Sequence, residues 1–184
     1  MNRRDFIKGA VAIGTTAIIS PSEAFAVNVI TPSKYQKKLS FYNIHTQEHI
    51  QNIVFEENGI ILQDSMELFN NLLRDRRTNE IVEIDSELYL KLFELQKTLR
   101  TKSDINVISG FRSDKTNEML RKTTKGVAKR SYHTKGQAID INMNNRKLSE
   151  IRKVSYKMRF GGIGYYPKSQ FVHLDTGRFR TWRG

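Results

Sequence analysis

Residues 131–142 read SYHTKGQAIDIN. In a β-strand over GQAIDIN, residues 136–142, successive side chains face opposite ways. Ile139, Ile141 and Met143 then share an apolar face, while Ala138, Asp140 and Asn142 share the other. Small Ala138 leaves room beside the Asp140 carboxylate. Gly136 stands where a tight bend can turn His133 back towards that carboxylate. The chain has only four histidines, and FVHLDTG, residues 171–177, places another in the same way. There Val172 and Leu174 point to one side, and Phe171, His173 and Asp175 to the other. Each strand is thus anchored by aliphatic residues on one face and presents an acid or an imidazole on the opposite one.

His133, Asp140 and His173 are expected to converge on a single divalent cation. Two imidazole nitrogens and a carboxylate oxygen suit zinc, one ion per chain, and three protein ligands leave a fourth position for water. Calcium or magnesium would draw more oxygen ligands and few imidazoles. Non-haem iron shares this ligand set and is the second choice of metal. The chain contains no cysteine, which excludes thiolate metal sites and a disulfide framework.

Outward from these strands the pattern mixes sheet and helix. KLSFYNIHT and HIQNIVFEE read as two short strands, and GIILQ as a third. DSMELFNNLLRDRR places Met66, Phe69, Leu72 and Leu73 on one helical face, with Asp64 or Ser65 as its cap. DSELYLKLFELQKTLR repeats the spacing with Leu88, Leu92, Leu95 and Leu99, opened by Asp85 and Ser86. DINVISGFRS contains a buried strand ended by Gly110. DKTNEMLRK is a short helix, TTKGVAKR a basic loop, and LSEIRKVSYKM another helix. GIGYYPKSQFVHLDTG reads as a hairpin turning at residues 167–169. Strands and helices without strict alternation favour the α+β class.

Residues 1–26 have the positive segment, short apolar run and Ala24-Phe25-Ala26 ending of an export signal, and NRRDFIK resembles a twin-arginine leader. The mature domain is then expected over 27–184, in the periplasm, with no transmembrane span. The formal net charge of +12 favours a polyanionic partner such as an anionic cell wall. Export, and the lack of a nucleic-acid motif, argue against nucleic acid. The sequence leaves the oligomeric state open.

SYHTKGQAID resembles the S-x-H-x-x-G-x-A-x-D signature of zinc D-alanyl-D-alanine peptidases and their relatives, which include vancomycin-resistance dipeptidases, phage endolysins and the hedgehog signalling domain. The match rests on Ser131, His133, Gly136, Ala138 and Asp140. SGFRS, residues 109–113, is similar to the motif that precedes the first ligand there. NIHTQE, SGFRS, SYHTKGQAIDI and GGIGYYPKSQFVHLDTGRFRTW occur in the order of a bacterial periplasmic murein endopeptidase branch, from about residue 38 onwards.

The resemblance implies an α+β fold in which a small antiparallel sheet carries the zinc site and helices pack against it. It implies zinc on His133, Asp140 and His173, and cleavage of peptide cross-links in peptidoglycan. L,D-bonds between meso-diaminopimelate residues are the main class and D,D-bonds the second. Arg112 would contact substrate and stabilise the developing oxyanion, and Ser131 would lie on the substrate side. Tyr165, within the Tyr165-Tyr166 pair, is read either as groove lining or as core. In the carboxypeptidase and dipeptidase branches a glutamate three residues before the last histidine is the general base. Gln170 holds that position here and cannot ionise. Asp175 is then either the base or a residue that orients His173 through its free ring nitrogen. His45 is either a second candidate base or a structural residue of the N-terminal hairpin. A non-catalytic wall-binding protein that keeps the fold is the alternative function.

Overall fold

Burial of alternate apolar residues sets the strands, and their order places the site. The structure, a computed structural model, describes residues 35–124 and 126–184. β1 (Gln36–Asn43) pairs antiparallel with β2 (His49–Glu57), and β3 (Ile60–Ile61) pairs with the far edge of β2. α1 (Gln63–Leu72) and α2 (Ser86–Thr98) then carry the chain back to β4 (Ile105–Ser109), which lies parallel to β1. A parallel neighbour needs such a crossover, because a tight hairpin can only reverse direction. α3 (Asp114–Thr123), a 3-10 turn (Tyr132–Lys135), β5 (Ala138–Asn142) and α4 (Leu148–Lys157) follow. β6 (Gly162–Tyr166), β7 (Phe171–Asp175) and β8 (Arg180–Arg183) complete a sheet ordered β3-β2-β1-β4-β5-β7-β6-β8.

The α+β class is as expected. The sheet is larger than the small antiparallel one read from the sequence, and β1–β4 and β6–β8 are parallel pairs. β8 was not foreseen: four residues carry too short a pattern to separate a strand from a tail. Leu88, Leu92 and Leu95 of α2 and Ile151 of α4 pack in one core with Ile139, Ile141, Val172 and Leu174 of the central strands. Each fully buried aliphatic side chain contributes about 1.5–3 kcal/mol. Asp140 and His173 alternate with these residues along β5 and β7, so they occupy the sheet face opposite the core.

Two local expectations change. The N-cap of α1 is Leu62, without a side-chain cap. Asp64 lies instead in the first turn, where its charge favours the helix dipole, and Ser65 Oγ donates to Val54 O. The helix also stops at Leu72 and does not run on through the arginines. Asp75 ends any continuation by capturing backbone: its carboxylate accepts from Arg77 N at 2.9 Å, Ser113 N at 2.8 Å and Ser113 Oγ at 2.7 Å.

Burial opposes ionisation of Asp75, but the nearby Thr116 hydroxyl and the hydrogen bonds from Arg77 and Ser113 outweigh it and hold its carboxyl down to about 2. A depressed carboxyl stabilises the fold fully above its unfolded value near 4, and that contribution disappears as pH falls through about 2. Asp75→Asn is therefore expected to cost about 1–2 kcal/mol at pH 7, discounted for solvent access. Urea unfolding should show the gap to the parent protein narrowing as pH is lowered to 3.

The leader expected over residues 1–26 lies outside the described residues. Among the described residues no helix is long and apolar enough to cross a membrane.

Candidate metal centre and its groove

Antiparallel pairing of β5 with β7 sets Asp140 directly opposite His173. His133 arrives from the 3-10 turn. Ser131 caps that turn by accepting the N–H of His133 on Oγ at 3.3 Å. Gly136 ends it at φ 65°, and a Cβ there would stand 2.6 Å from Glu83 O. Only glycine meets both demands cheaply. The chain therefore turns back, and His133 Nε2 lies 3.1 Å from His173 Nδ1 and 3.3 Å from Asp140 Oδ1. His173 Nδ1 lies 2.8 Å from the same oxygen. All three ligand atoms fall within 4.8 Å of one another.

The outer hydrogen bonds decide what these atoms offer. His133 Nδ1 lies 2.7 Å from Gly110 O. A carbonyl only accepts, so this nitrogen carries the proton and Nε2 turns a lone pair inward. His173 Nε2 lies 3.1 Å from Asp175 Oδ2, which by the same logic leaves the lone pair on Nδ1. Two imidazole lone pairs and a carboxylate thus aim at one small volume. They repel one another unless a cation sits among them, and the donor set fits a four-coordinate divalent ion with one open position.

The two imidazoles are shifted in opposite directions. Burial pushes His133 below its ordinary value and keeps the ring neutral. Burial opposes ionisation of Asp140, but the neighbouring imidazoles outweigh it and hold the carboxyl far below the usual range. His173 is buried too, yet its bonds to Asp140 and Asp175 raise it.

Asp175 is fully enclosed, at 0 % exposure. Arg180 donates Nη2 to its Oδ2 at 2.6 Å and Nη1 to its Oδ1 at 3.1 Å. Gly162 N and Gly177 N donate to Oδ1 at 3.0 and 2.9 Å. A Cβ on Gly162 would sit 2.1 Å from Oδ2, so glycine is needed for this approach. Asp175 therefore touches His173 on the ring edge away from Asp140 and His133. The Arg180 guanidinium is held between the rings of Tyr132 at 4.8 Å and Trp182 at 5.1 Å.

His133, Asp140 and His173 lie in a groove of about 1160 Å³, lined among the described residues by nine lysine and arginine side chains against two aspartates, Asp75 and Asp140. Its field therefore favours an anionic occupant. Ser131, Arg112 and His45 line it as well. Arg112 Nη2 lies 3.7 Å from Asp140 Oδ2, and its buried Nε has no partner among the described residues. Burial lowers the Arg112 pKa, with the Asp140 charge acting against that.

Two sequence candidates fall elsewhere. Tyr165 does not line the groove; it packs against the core beside Ile163, and Tyr166 lines the groove in its place. The period of two along β6 puts neighbouring tyrosines on opposite faces. Gln170, at φ 59°, folds its amide onto Pro167 O within its own turn and does not line the groove.

Arg180 and Trp182 were missed. The short run RTWR carries no signal tying it to Asp175, since β8 reaches the site only through its parallel pairing with β6. The Asp75 knot was missed because its partners lie 38 residues apart in the chain.

A family profile described as peptidoglycan L,D-endopeptidase MepK matches residues 31–182. The peptidoglycan L,D-endopeptidase MepK of Escherichia coli strain K12 is 46% identical over 182 residues, covering 98% of this chain and 97% of that protein. The same figures hold for the protein of that name in Shigella flexneri. A probable peptidoglycan L,D-endopeptidase MepK of Haemophilus influenzae is 37% identical over 185 residues, covering 100% of this chain and 96% of that protein. With matches of this extent the chain belongs to the peptidoglycan L,D-endopeptidase MepK family of M15 peptidases.

Proposed function

We propose that this chain is a zinc-dependent murein endopeptidase acting in the periplasm, where it hydrolyses the peptide cross-links of peptidoglycan. L,D-bonds between meso-diaminopimelate residues are its main substrate and D,D-bonds a second class. The observation that carries this reading is the convergence of His133, Asp140 and His173 in a basic groove, in a chain of this family.

Zinc suits two imidazoles and one carboxylate better than the oxygen-seeking divalent ions do. Bound there, the ion supplies Lewis acidity towards the scissile carbonyl and towards water. The chain's own groups do the rest. Arg112 offers a buried, unpartnered N–H and a positive charge to the carbonyl oxygen as negative charge builds on it. Ser131 shapes the groove beside His133. Asp175 and Arg180 fix the ring of His173.

For the general base, the geometry favours His45 over Asp175. Every hydrogen bond of Asp175 is made behind His173, whereas His45 opens to the groove. Burial, and then the charges of Arg76 and Arg77, lower the His45 pKa. At neutral pH its ring is therefore uncharged and able to take a proton from water and pass it to the departing amine.

Asp175→Asn separates the two roles. Loss of an orienting partner lowers metal affinity by about 10–100-fold, which titration against a competing chelator measures. Unchanged affinity with collapsed turnover would instead make Asp175 the base.

The function itself is tested by incubating the purified protein with defined muropeptide dimers, with and without chelator. Zinc-dependent release of monomers is expected. Dimers that bind but stay intact would mark the chain as a non-catalytic wall-binding protein.

A further inference from the structure

Asp75, Arg76 and Arg77 are consecutive, yet Asp75 forms an ion pair with neither arginine. Its oxygens are used by Arg77 N, Ser113 N and Ser113 Oγ. Asp75 N also donates to Glu80 O at 3.0 Å, and Asn79 N donates back to Asp75 O at 2.7 Å. Thr78 Oγ1 reaches Ser113 Oγ at 3.3 Å. The turn that carries the two arginines is thus tied to the loop that carries Arg112. Both arginines are exposed, both line the groove, and neither side chain makes a hydrogen bond or an ion pair among the described residues. Their charges reach the reacting region, since both lower the His45 pKa and Arg77 also lowers that of Arg112.

Asp75 partly offsets the charge of Arg76 through space, but its oxygens are committed to Ser113 and to backbone, so two adjacent guanidinium groups still favour an anion there. A guanidinium pair offers forked donors that match a carboxylate. The chemistry of the proposed substrate supplies one. In a cross-link between two diaminopimelates, the residue that gives the scissile carbonyl keeps an ammonium next to its free carboxylate. The residue that gives the scissile nitrogen has that amine acylated, so its carboxylate has no neighbouring cation. Resting on the function proposed above, we infer that Arg76 and Arg77 form a subsite for the free carboxylate of the diaminopimelate on the amine side of the scissile bond.

The test uses two synthetic muropeptide dimers that differ only at this carboxylate, free in one and amidated in the other. Arg76→Gln/Arg77→Gln is expected to lower kcat/KM on the free-acid dimer by about 10–100-fold, mainly through KM, because charge-assisted hydrogen bonds are lost. On the amidated dimer the change should stay below about threefold. Arg76→Lys/Arg77→Lys should recover part of the loss, since charge returns without the fork. Lys153→Gln/Lys157→Gln on α4, which packs on the core side of the sheet, removes the same charge and should have little effect on either dimer. Equal losses on both dimers, or an equal loss from the α4 pair, would overturn the subsite. Calorimetric binding of both dimers in the presence of chelator reads the same contrast without hydrolysis. If the parent protein binds the free-acid dimer more tightly, and the arginine variant does not, while neither dimer is ever cut, the subsite stands and the endopeptidase reading falls.

Discussion

Replacing His133 with alanine is expected to reduce cross-link hydrolysis by ~10³-fold or more, because Lewis-acid activation of carbonyl and water is worth several kcal/mol and each 1.36 kcal/mol is a factor of ten. His133 is buried at 1 % exposure, and its Nε2 stands within 3.3 Å of both other ligand atoms. Its loss leaves one imidazole and one carboxylate, too few to hold zinc tightly. It also leaves Gly110 O without its donor, which costs about 1–3 kcal/mol of stability. Metal content by mass spectrometry of the native protein, the far-ultraviolet circular dichroism spectrum and muropeptide release should be measured together. A folded, metal-free, inactive variant is the expected result. Undiminished hydrolysis would remove the metal centre from the chemistry.

Arg112→Ala is expected to lower kcat by about 10²–10³-fold with a smaller change in KM, the usual cost of removing one donor to a developing oxyanion. The structure gives a specific reason. Arg112 is mostly buried, its Nε lacks a partner among the described residues, and Asp140, at 3.7 Å, is already engaged by His133 and His173. The side chain is therefore held ready for a group that the protein alone does not provide. Arg112→Lys keeps charge but not the planar fork and should recover only part of the loss. A drop of less than about threefold in the alanine variant would make Arg112 a packing residue that balances Asp140.

The two predictions differ in what accompanies the loss. The His133 variant should lose metal and activity together, and the Arg112 variant should keep its metal. Asp175→Asn falls between them, with weakened metal binding and activity recoverable at high zinc. This ordering follows from the kind of contact: His133 offers one of the converging atoms, Asp175 holds the ring of His173, and Arg112 only approaches Asp140 at 3.7 Å.

Much of the centre was legible in one dimension because a strand repeats every two residues. That period put Asp140 opposite Ile139 and Ile141, and His173 opposite Val172 and Leu174, before any coordinates. Gly136 marked the bend that brings His133 round. The helices over Leu88–Leu99 were equally plain, since apolar residues at three- and four-residue steps bury only as a helix. The Leu62 cap of α1 and its early end at Leu72 were not, because Asp64, Ser65 and Asp75 each had several backbone partners open to them. Tertiary contact gave Ser65 to Val54 O and Asp75 to Ser113 N.

By itself, the sequence determined the strand faces of Asp140 and His173 and the α+β class, because local periodicity and side-chain chemistry are properties of neighbours along the chain. Only the tertiary structure decided that Asp175 lies behind His173 under Arg180, that Tyr166 and not Tyr165 faces the groove, and that Arg76 and Arg77 line the same groove as Arg112. Those outcomes depend on which strands become neighbours and on which hydrogen bonds a buried carboxylate can satisfy. Both are settled by packing between segments far apart in the chain.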